Sequence, residues 1–258
     1  MREEARAKGE NPQYNGRCRN LALPKSDTTV VRLKTPLTGV TLVEDVVKGT
    51  TAFQNCEIDD FIIQRSNGVA MYNLAVVVDD LTMKINTIIR GDDHLVNTPK
   101  QILIYQALGA DLPLFGHVPM VLGADKARLS KRHGAMGVGE YRTMGFLADA
   151  MINYLVRLGW SHGDQEFFER ADLVEKFDLE HLGRSASMFD MDKLLALNAK
   201  HIQKKSPEEL GEHLLFHLEA LGIEAQNDAF TQAVIKTLQP RSKTLKEMAE
   251  AAVFYYQD

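Results

Sequence analysis

Two short stretches concentrate side chains that can do chemistry. In the first, Arg90, Gly91, Asp92, Asp93 and His94 follow one another; in the second, Arg128, Leu129, Ser130, Lys131, Arg132 and His133 run into Gly134, Gly137 and Gly139. An arginine at the carboxyl edge of a sheet presents a planar fork suited to a substrate carboxylate. Asp93 beside it could receive an amino group, and Tyr72 could add a hydroxyl to the same pocket. A Ser-Lys-Arg run in a glycine-flanked loop can wrap the phosphates of a nucleotide. Lys131 would there stabilise the negative charge that grows on a leaving pyrophosphate. Each group also has a plainer reading: a polar turn before a helix, a core tyrosine, a solvated basic loop. The basic loop is no Walker P-loop, because no GxxxxGK[ST] occurs in the chain.

Both groups need elements to hold them. From Thr28 to Asp60 the pattern is short and β-rich: TTVVRLK, then VTLVEDVV, separated by Pro36 and Gly39. IDDFIIQ predicts a strand, Ser66 to Gly68 a turn, and the apolar run Leu74 to Val78 a strand buried on both faces of a parallel sheet. MKINTIIRGDDH predicts another strand, closed by Gly91. Thr98-Pro99-Lys100-Gln101 has the form of a capping box with proline at the first helical position, and Gly109 ends the helix. HVPMVL predicts a strand ahead of the basic loop. Beyond that loop the period becomes helical, with Phe146, Leu147, Ala150, Met151, Tyr154, Leu155 and Leu158 on one face. Ser206-Pro207-Glu208-Glu209 caps a further helix stopped by Gly222, and two more helices are expected before Asp258. The predicted order is α/β first, all-α second.

The totals narrow the classes. A chain of 258 residues with 45% hydrophobic content can bury a core in two or three substructures. A net charge of −5 argues against a wholesale nucleic-acid coat while leaving room for local basic patches, since phosphate contacts act over about 8 Å. Cys18 and Cys56 are the only cysteines and form no CxxC pair, which suits a reducing cytoplasm and gives no complete zinc signature. No apolar run approaches the ~20 residues of a membrane helix, and no signal peptide is visible. The expected location is cytoplasmic.

Taken together, YNLAVVVDDLTMKINTIIRGDDHLVNTPKQ and LSKRHGA closely resemble bacterial glutamyl-tRNA synthetases, class I aminoacyl-tRNA synthetases in which LSKR is a form of the KMSKS loop. NYLVRLGWSHGD, residues 153–164, is similar to the segment after that loop. The resemblance implies a fold that is α/β followed by all-α. Residues 1–68 would be part of the tRNA acceptor-binding insertion, and residues 69–140 the second half of the Rossmann-like catalytic domain. Residues 141–205 would form a helical stem-contact region, and 206–258 the start of the helical anticodon-binding domain. It implies ATP-dependent activation of glutamate and its transfer to the 3′ end of tRNA-Glu, with ATP and its Mg as substrate and no membrane partner. Tyr72 and Arg90 would contact glutamate, Arg90 through the side-chain carboxylate. Lys131 would contact ATP within the mobile loop Arg128 to Arg132.

The chain departs from the family pattern in places. It reads RGDD where RGED is usual, Ala70-Met71 where Pro-Thr is usual, and Arg128 where lysine is usual. No HIGH-type motif is present, so the expectation is an internal fragment lacking that N-terminal half and the C-terminal end, inactive alone. Some members bind zinc; Cys18 matches a late zinc cysteine but Asn20 fills its partner's place, so zinc is not expected. The alternatives are a catalytically dead tRNA-binding or regulatory remnant and a glutamyl-queuosine tRNA synthetase. The helices from Ser206 onward count against the latter.

Overall fold

The computed structural model describes residues 13–24, 26–130 and 137–256, which form two compact units, 1–118 and 119–258. Among the expected site residues, Lys131 and Arg132 lie outside the described residues.

Among the described residues, the first unit is built from three strand pairs, two α-helices and short 3-10 turns. Strands β1 (Val31–Arg32) and β4 (Ile62–Gln64) pair antiparallel, as do β2 (Val40–Val43) and β3 (Thr51–Gln54). Along β2 the side chains alternate, Thr41 and Val43 buried, Val40 and Leu42 exposed, as the two-residue period of a strand requires. Strand β5 (Thr87–Gly91) and strand β6 (Leu114–Val118) run parallel, with Arg90 opposite His117. Helix α2 (Thr98–Ala107) crosses between them, and helix α1 (Tyr72–Thr82) precedes β5. The core is Val43, Ile58, Phe61, Val77, Phe115 and the run Ile102 to Tyr105 of α2.

Three expectations are corrected in this unit. The Leu74–Val78 run is not a strand buried on both faces; it is the middle of helix α1. Leu74, Val77 and Leu81 pack on the core at helical spacing, while Val78 is 41% exposed. A short continuous apolar run carries no period of its own, so tertiary packing decides, and here it overrides the weak helix propensity of valine. Thr98 is not the cap of α2. A 3-10 helix, Asp92–Asn97, runs straight into α2, Asn97 already has right-handed helical φ and ψ, and the Thr98 and Gln101 side chains are released for other partners. The strand expected at HVPMVL sits earlier and stops at Val118, because Pro119 has no N–H to continue a ladder. The strand closed by Gly91, the turn at Ser66 to Gly68 and the helix end at Gly109 stand as expected.

The second unit opens with a tight hairpin over residues 121–129. Gly123 N donates to the Ala127 carbonyl (2.8 Å) and Leu129 N to the Val121 carbonyl (2.9 Å). Helices follow: α3 (Val138–Thr143), α4 (Ala148–Arg157), α5 (Arg170–Lys176), α6 (Met191–Lys204), α7 (Pro207–Ala220), α8 (Ala229–Leu238) and α9 (Leu245–Tyr256). Local signals account for most of their starts. The Ser206 hydroxyl accepts from Glu209 N while the Glu209 carboxylate accepts from Ser206 N, and the Asp190 and Asp228 side chains cap α6 and α8 by accepting from first-turn N–H groups. Leu210, Leu214 and Leu218 of α7 are fully buried against Ile235, Leu238, Met248 and Ala252, which fixes one apolar face per helix. Gly145 ends the turn after α3 at φ +88°, and its carbonyl accepts from Leu245 N (2.9 Å). A Cβ there would lie 2.3 Å from Lys246 N, so only glycine fits. Among the described residues no helix is long and apolar enough to cross a membrane.

Candidate active site

Arg90 lies one residue before the end of β5, at the carboxyl edge of the parallel pair, where open α/β sheets take their ligands. It is partly buried, and its guanidinium rests in a cradle of neutral acceptors. Nε donates to His117 Nε2 (3.1 Å), and Nη2 donates to Thr98 Oγ1 (2.9 Å) and Gln101 Oε1 (2.6 Å). Gln101 is itself held, its amide donating to Asn73 Oδ1 of α1 (3.2 Å). Among the described residues no carboxylate forms a salt bridge with Arg90. Burial lowers the guanidinium pKa from its ordinary value, opposed by the neighbouring Tyr72 hydroxyl and Asp80 carboxylate. Arginine keeps its charge through any such shift, so the site presents a fixed, half-desolvated positive charge.

Behind Arg90 stands a fully buried pair. His117 Nδ1 lies 2.5 Å from Asp45 Oδ2, and His117 N donates to Asp45 Oδ1 (3.1 Å). The chain at Asp45 is carried alongside β6 by the bond from Val46 N to the Phe115 carbonyl (2.9 Å). Burial alone would raise the Asp45 carboxyl. Hydrogen bonds from Lys48 N, from His117 and from Val47 N outweigh it and hold Asp45 below the usual carboxylate range. On the other side of Arg90, burial raises the Asp80 carboxyl, with the Arg90 charge opposing. Tyr105, fully buried, has its hydroxyl pushed up to about 12, by burial first and by Asp80 second.

Of the residues expected at the amino-acid site, the structure brings Arg90 and Tyr72 together. Tyr72 is the first residue of α1, not of a strand, and its ring lies 6.2 Å from that of His94. Asp93 is exposed in the 3-10 helix directly after β5, and its neighbour Asp92 pairs with Lys48 (2.8 Å). The buried His94 Nδ1 has no hydrogen-bond partner among the described residues. Arg128, Leu129 and Ser130 belong to the second unit, Arg128 bridging antiparallel to Leu122 in the second arm of its hairpin. Sequence reasoning missed Asp45 and His117. The available signal was a lone histidine inside the apolar strand LFGHV, where a buried imidazole must find partners. Among the described residues there is no group of three or more His, Cys, Asp or Glu that could hold a metal ion.

Residues 1–196 match the family described as tRNA synthetases class I (E and Q), catalytic domain. The glutamate–tRNA ligase of Desulfosudis oleivorans is 63% identical over 257 residues, covering 100% of this chain and 55% of that protein. That of Geobacter sulfurreducens is 56% identical over 256 residues, covering 99% and 55%. Among solved structures, a glutamate tRNA ligase from Elizabethkingia meningosepticum in complex with its amino acid superposes with a TM-score of 0.84 at 26% identity, over 99% of this chain and 57% of that one. The chain therefore spans about 55% of the length of the curated relatives it matches. With its parallel pair, its helical second unit and its RGDD and LSKR segments, the chain belongs to the class I tRNA synthetase family of the glutamate and glutamine enzymes.

Proposed function

We propose that this chain serves as the glutamate-reading part of a glutamate–tRNA ligase, which joins glutamate to ATP, releases pyrophosphate and esterifies the 3′ end of tRNA-Glu. The observation that carries the reading is the Arg90 cradle: a partly buried guanidinium held only by neutral acceptors, its charge unmatched by any direct counter-ion among the described residues. A buried charge kept this way costs stability, and an incoming carboxylate offsets that cost. The Tyr72 hydroxyl, which also hydrogen-bonds Arg90, stands beside the guanidinium where the glutamate side-chain carboxylate is met. Asp93 takes the amino group. ATP, with its Mg, is the second substrate, and Arg128 to Arg132 form its loop, with Lys131 acting on the departing pyrophosphate. No covalent enzyme intermediate is needed; positioning and charge stabilisation suffice.

The test is steady-state ATP–pyrophosphate exchange, with tRNA present, in the full-length enzyme. Removing the charged partner of a buried carboxylate costs about 2–5 kcal/mol. Arg90→Ala is therefore expected to raise the glutamate KM by roughly 30-fold to several thousand-fold and leave the ATP KM within a few-fold. Equal rises in both constants would assign Arg90 a structural role instead.

A further inference from the structure

We propose that Asp45 and His117 are positioning residues for Arg90, fixing the plane of its guanidinium and thereby setting the affinity for the substrate carboxylate. The inference rests on the reading of Arg90 as the group that meets glutamate.

A guanidinium can only donate, so His117 Nε2, 3.1 Å from Arg90 Nε, must accept. In a neutral imidazole the other nitrogen then carries the hydrogen, and Nδ1 points it at Asp45 Oδ2, 2.5 Å away. A carboxylate accepts and cannot donate, so Asp45 permits this tautomer alone. The tautomer is set by one residue and used by another, and each nitrogen of the ring has one task. Asp45 is in turn immobile: its Oδ1 accepts from Val47 N and Lys48 N (both 2.8 Å) and from His117 N.

The arrangement has a consequence for charge. If Asp45 touched Arg90 directly, the two would form a closed ion pair and the guanidinium would have little left to offer an anion. The imidazole keeps the counter-charge one ring away, so Arg90 is held through neutral contacts and retains its pull on a ligand. Thr98 completes the clamp. Its oxygen accepts from Arg90 Nη2, and with the one lone pair of His117 Nε2 taken by Arg90 Nε, its hydroxyl hydrogen goes to the His94 carbonyl (3.4 Å). With the Asp45 and His117 side chains fully buried, water cannot take over a lost contact without opening the core. A guanidinium freed from its cradle can rotate by a bond or two, and small misplacements of a charged binding group weaken a substrate contact strongly.

Three variants of the full-length enzyme separate positioning from packing. His117→Leu keeps bulk and removes the acceptor; it is expected to raise the glutamate KM about tenfold or more, the loss of roughly one good hydrogen bond to a charged group, with the ATP KM within twofold. His117→Gln restores an oxygen that can accept from Arg90 Nε and should recover most of that loss. Asp45→Asn can present an amide N–H to Nδ1 and so favour the other tautomer, whose Nε2–H would confront Arg90; it should move the glutamate KM in the same direction as His117→Leu. Glutamate and ATP constants rising together, or no change in either, would overturn the proposal. Arg90→Ala is the control: if it too leaves the glutamate KM unchanged, the reading of Arg90 has failed and not its positioning alone. Should the leucine variant not fold, nitrogen-15 NMR of the unsubstituted chain still decides. An imidazole protonated on Nδ1 at His117 and a slowly exchanging Arg90 Nε–H are expected, and a proton on Nε2 would overturn the assignment.

Discussion

Both units bury polar side chains, but they use them on different targets. In the helical unit, Asn198 accepts from Leu147 N (2.9 Å) and donates to the carbonyls of Lys243 (2.7 Å) and Gly145 (3.3 Å). Asn153 accepts from Phe168 N (2.9 Å) and donates to the Glu166 carbonyl (2.9 Å). Apart from the contact of Asn153 Oδ1 with His201 Nε2 (3.1 Å), these amides answer main-chain groups that loops leave unpaired. In the first unit, Asp45, His117, Thr98 and Gln101 are buried in a network that is anchored on main-chain N–H groups at Asp45 and ends on one charged side chain, Arg90. A buried polar network that terminates on backbone is architecture. One that terminates on a charged side chain with no salt-bridge partner among the described residues is what we propose as a site.

That contrast can be broken by substitutions whose effects should fall in different measurements. The largest effect is expected at Arg90, in glutamate affinity and with little change in melting temperature. Next is Gly145→Ala in the helical unit. A left-handed φ costs a non-glycine residue about 1–2 kcal/mol, and the overlap with the Lys246 backbone adds to it, so a loss above about 2 kcal/mol in chemical denaturation is expected. Asn198→Ala leaves Leu147 N and the Lys243 carbonyl without their side-chain partner and should cost about 1–3 kcal/mol of stability. Ser206→Ala removes one cap and should cost about 1 kcal/mol. If any of these three stability variants shifted glutamate KM as Arg90 does, the division of labour between the units would be wrong.

The smallest effect is one of pH. Burial lowers the His201 and His217 pKa values; Asp149 and Glu169 partly oppose this at His201, and Arg142 and Lys246 assist it at His217. The unfolded chain binds these protons near pH 6.5, before the folded one does. Stability is therefore fully present above about pH 6.5 and falls as pH drops towards the lowered folded values. The carboxylates with lowered pKa values in this unit, Asp149 and Glu209 among them, lose their contribution only at lower pH, so the interval from about 6.5 to 4.5 isolates the histidines. Denaturation midpoints of the helical unit at pH 7.5, 6 and 5 should decline, and His217→Gln should shallow the decline. An unchanged midpoint across that range contradicts it.

The same contrast explains what could be read from the residues. Helix α7 was legible because Ser206, Pro207, Glu209 and its leucines state start, face and period within one window. Arg90 and Tyr72 were singled out by type, and β5 was legible by its closing Gly91 but not by its start. Helix α1 was not, because Ala75 to Val78 offer no apolar period and the core alone selects the face. Thr98 was misread because its local pattern is that of a cap, while the 3-10 helix before it supplies the entry. Asp45 and His117 are 72 residues apart and meet only when the chain at Asp45 lies along β6, so no window of sequence contains the pair. Local rules specify the scaffold; the site is assembled by long-range contacts that those rules do not encode.

The central claim is that Arg90 holds an unspent positive charge for the side-chain carboxylate of the substrate. The most direct measurement is the ratio of kcat/KM for glutamate over glutamine in the full-length enzyme, with Arg90 intact and as Arg90→Gln. Glutamine has the same shape but no charge, so a residue that reads the carboxylate must carry the discrimination. Loss of a charge-assisted contact of about 2–5 kcal/mol should lower the ratio by at least about 30-fold. A variant that loses activity towards both amino acids equally, with the ratio unchanged, would contradict the account.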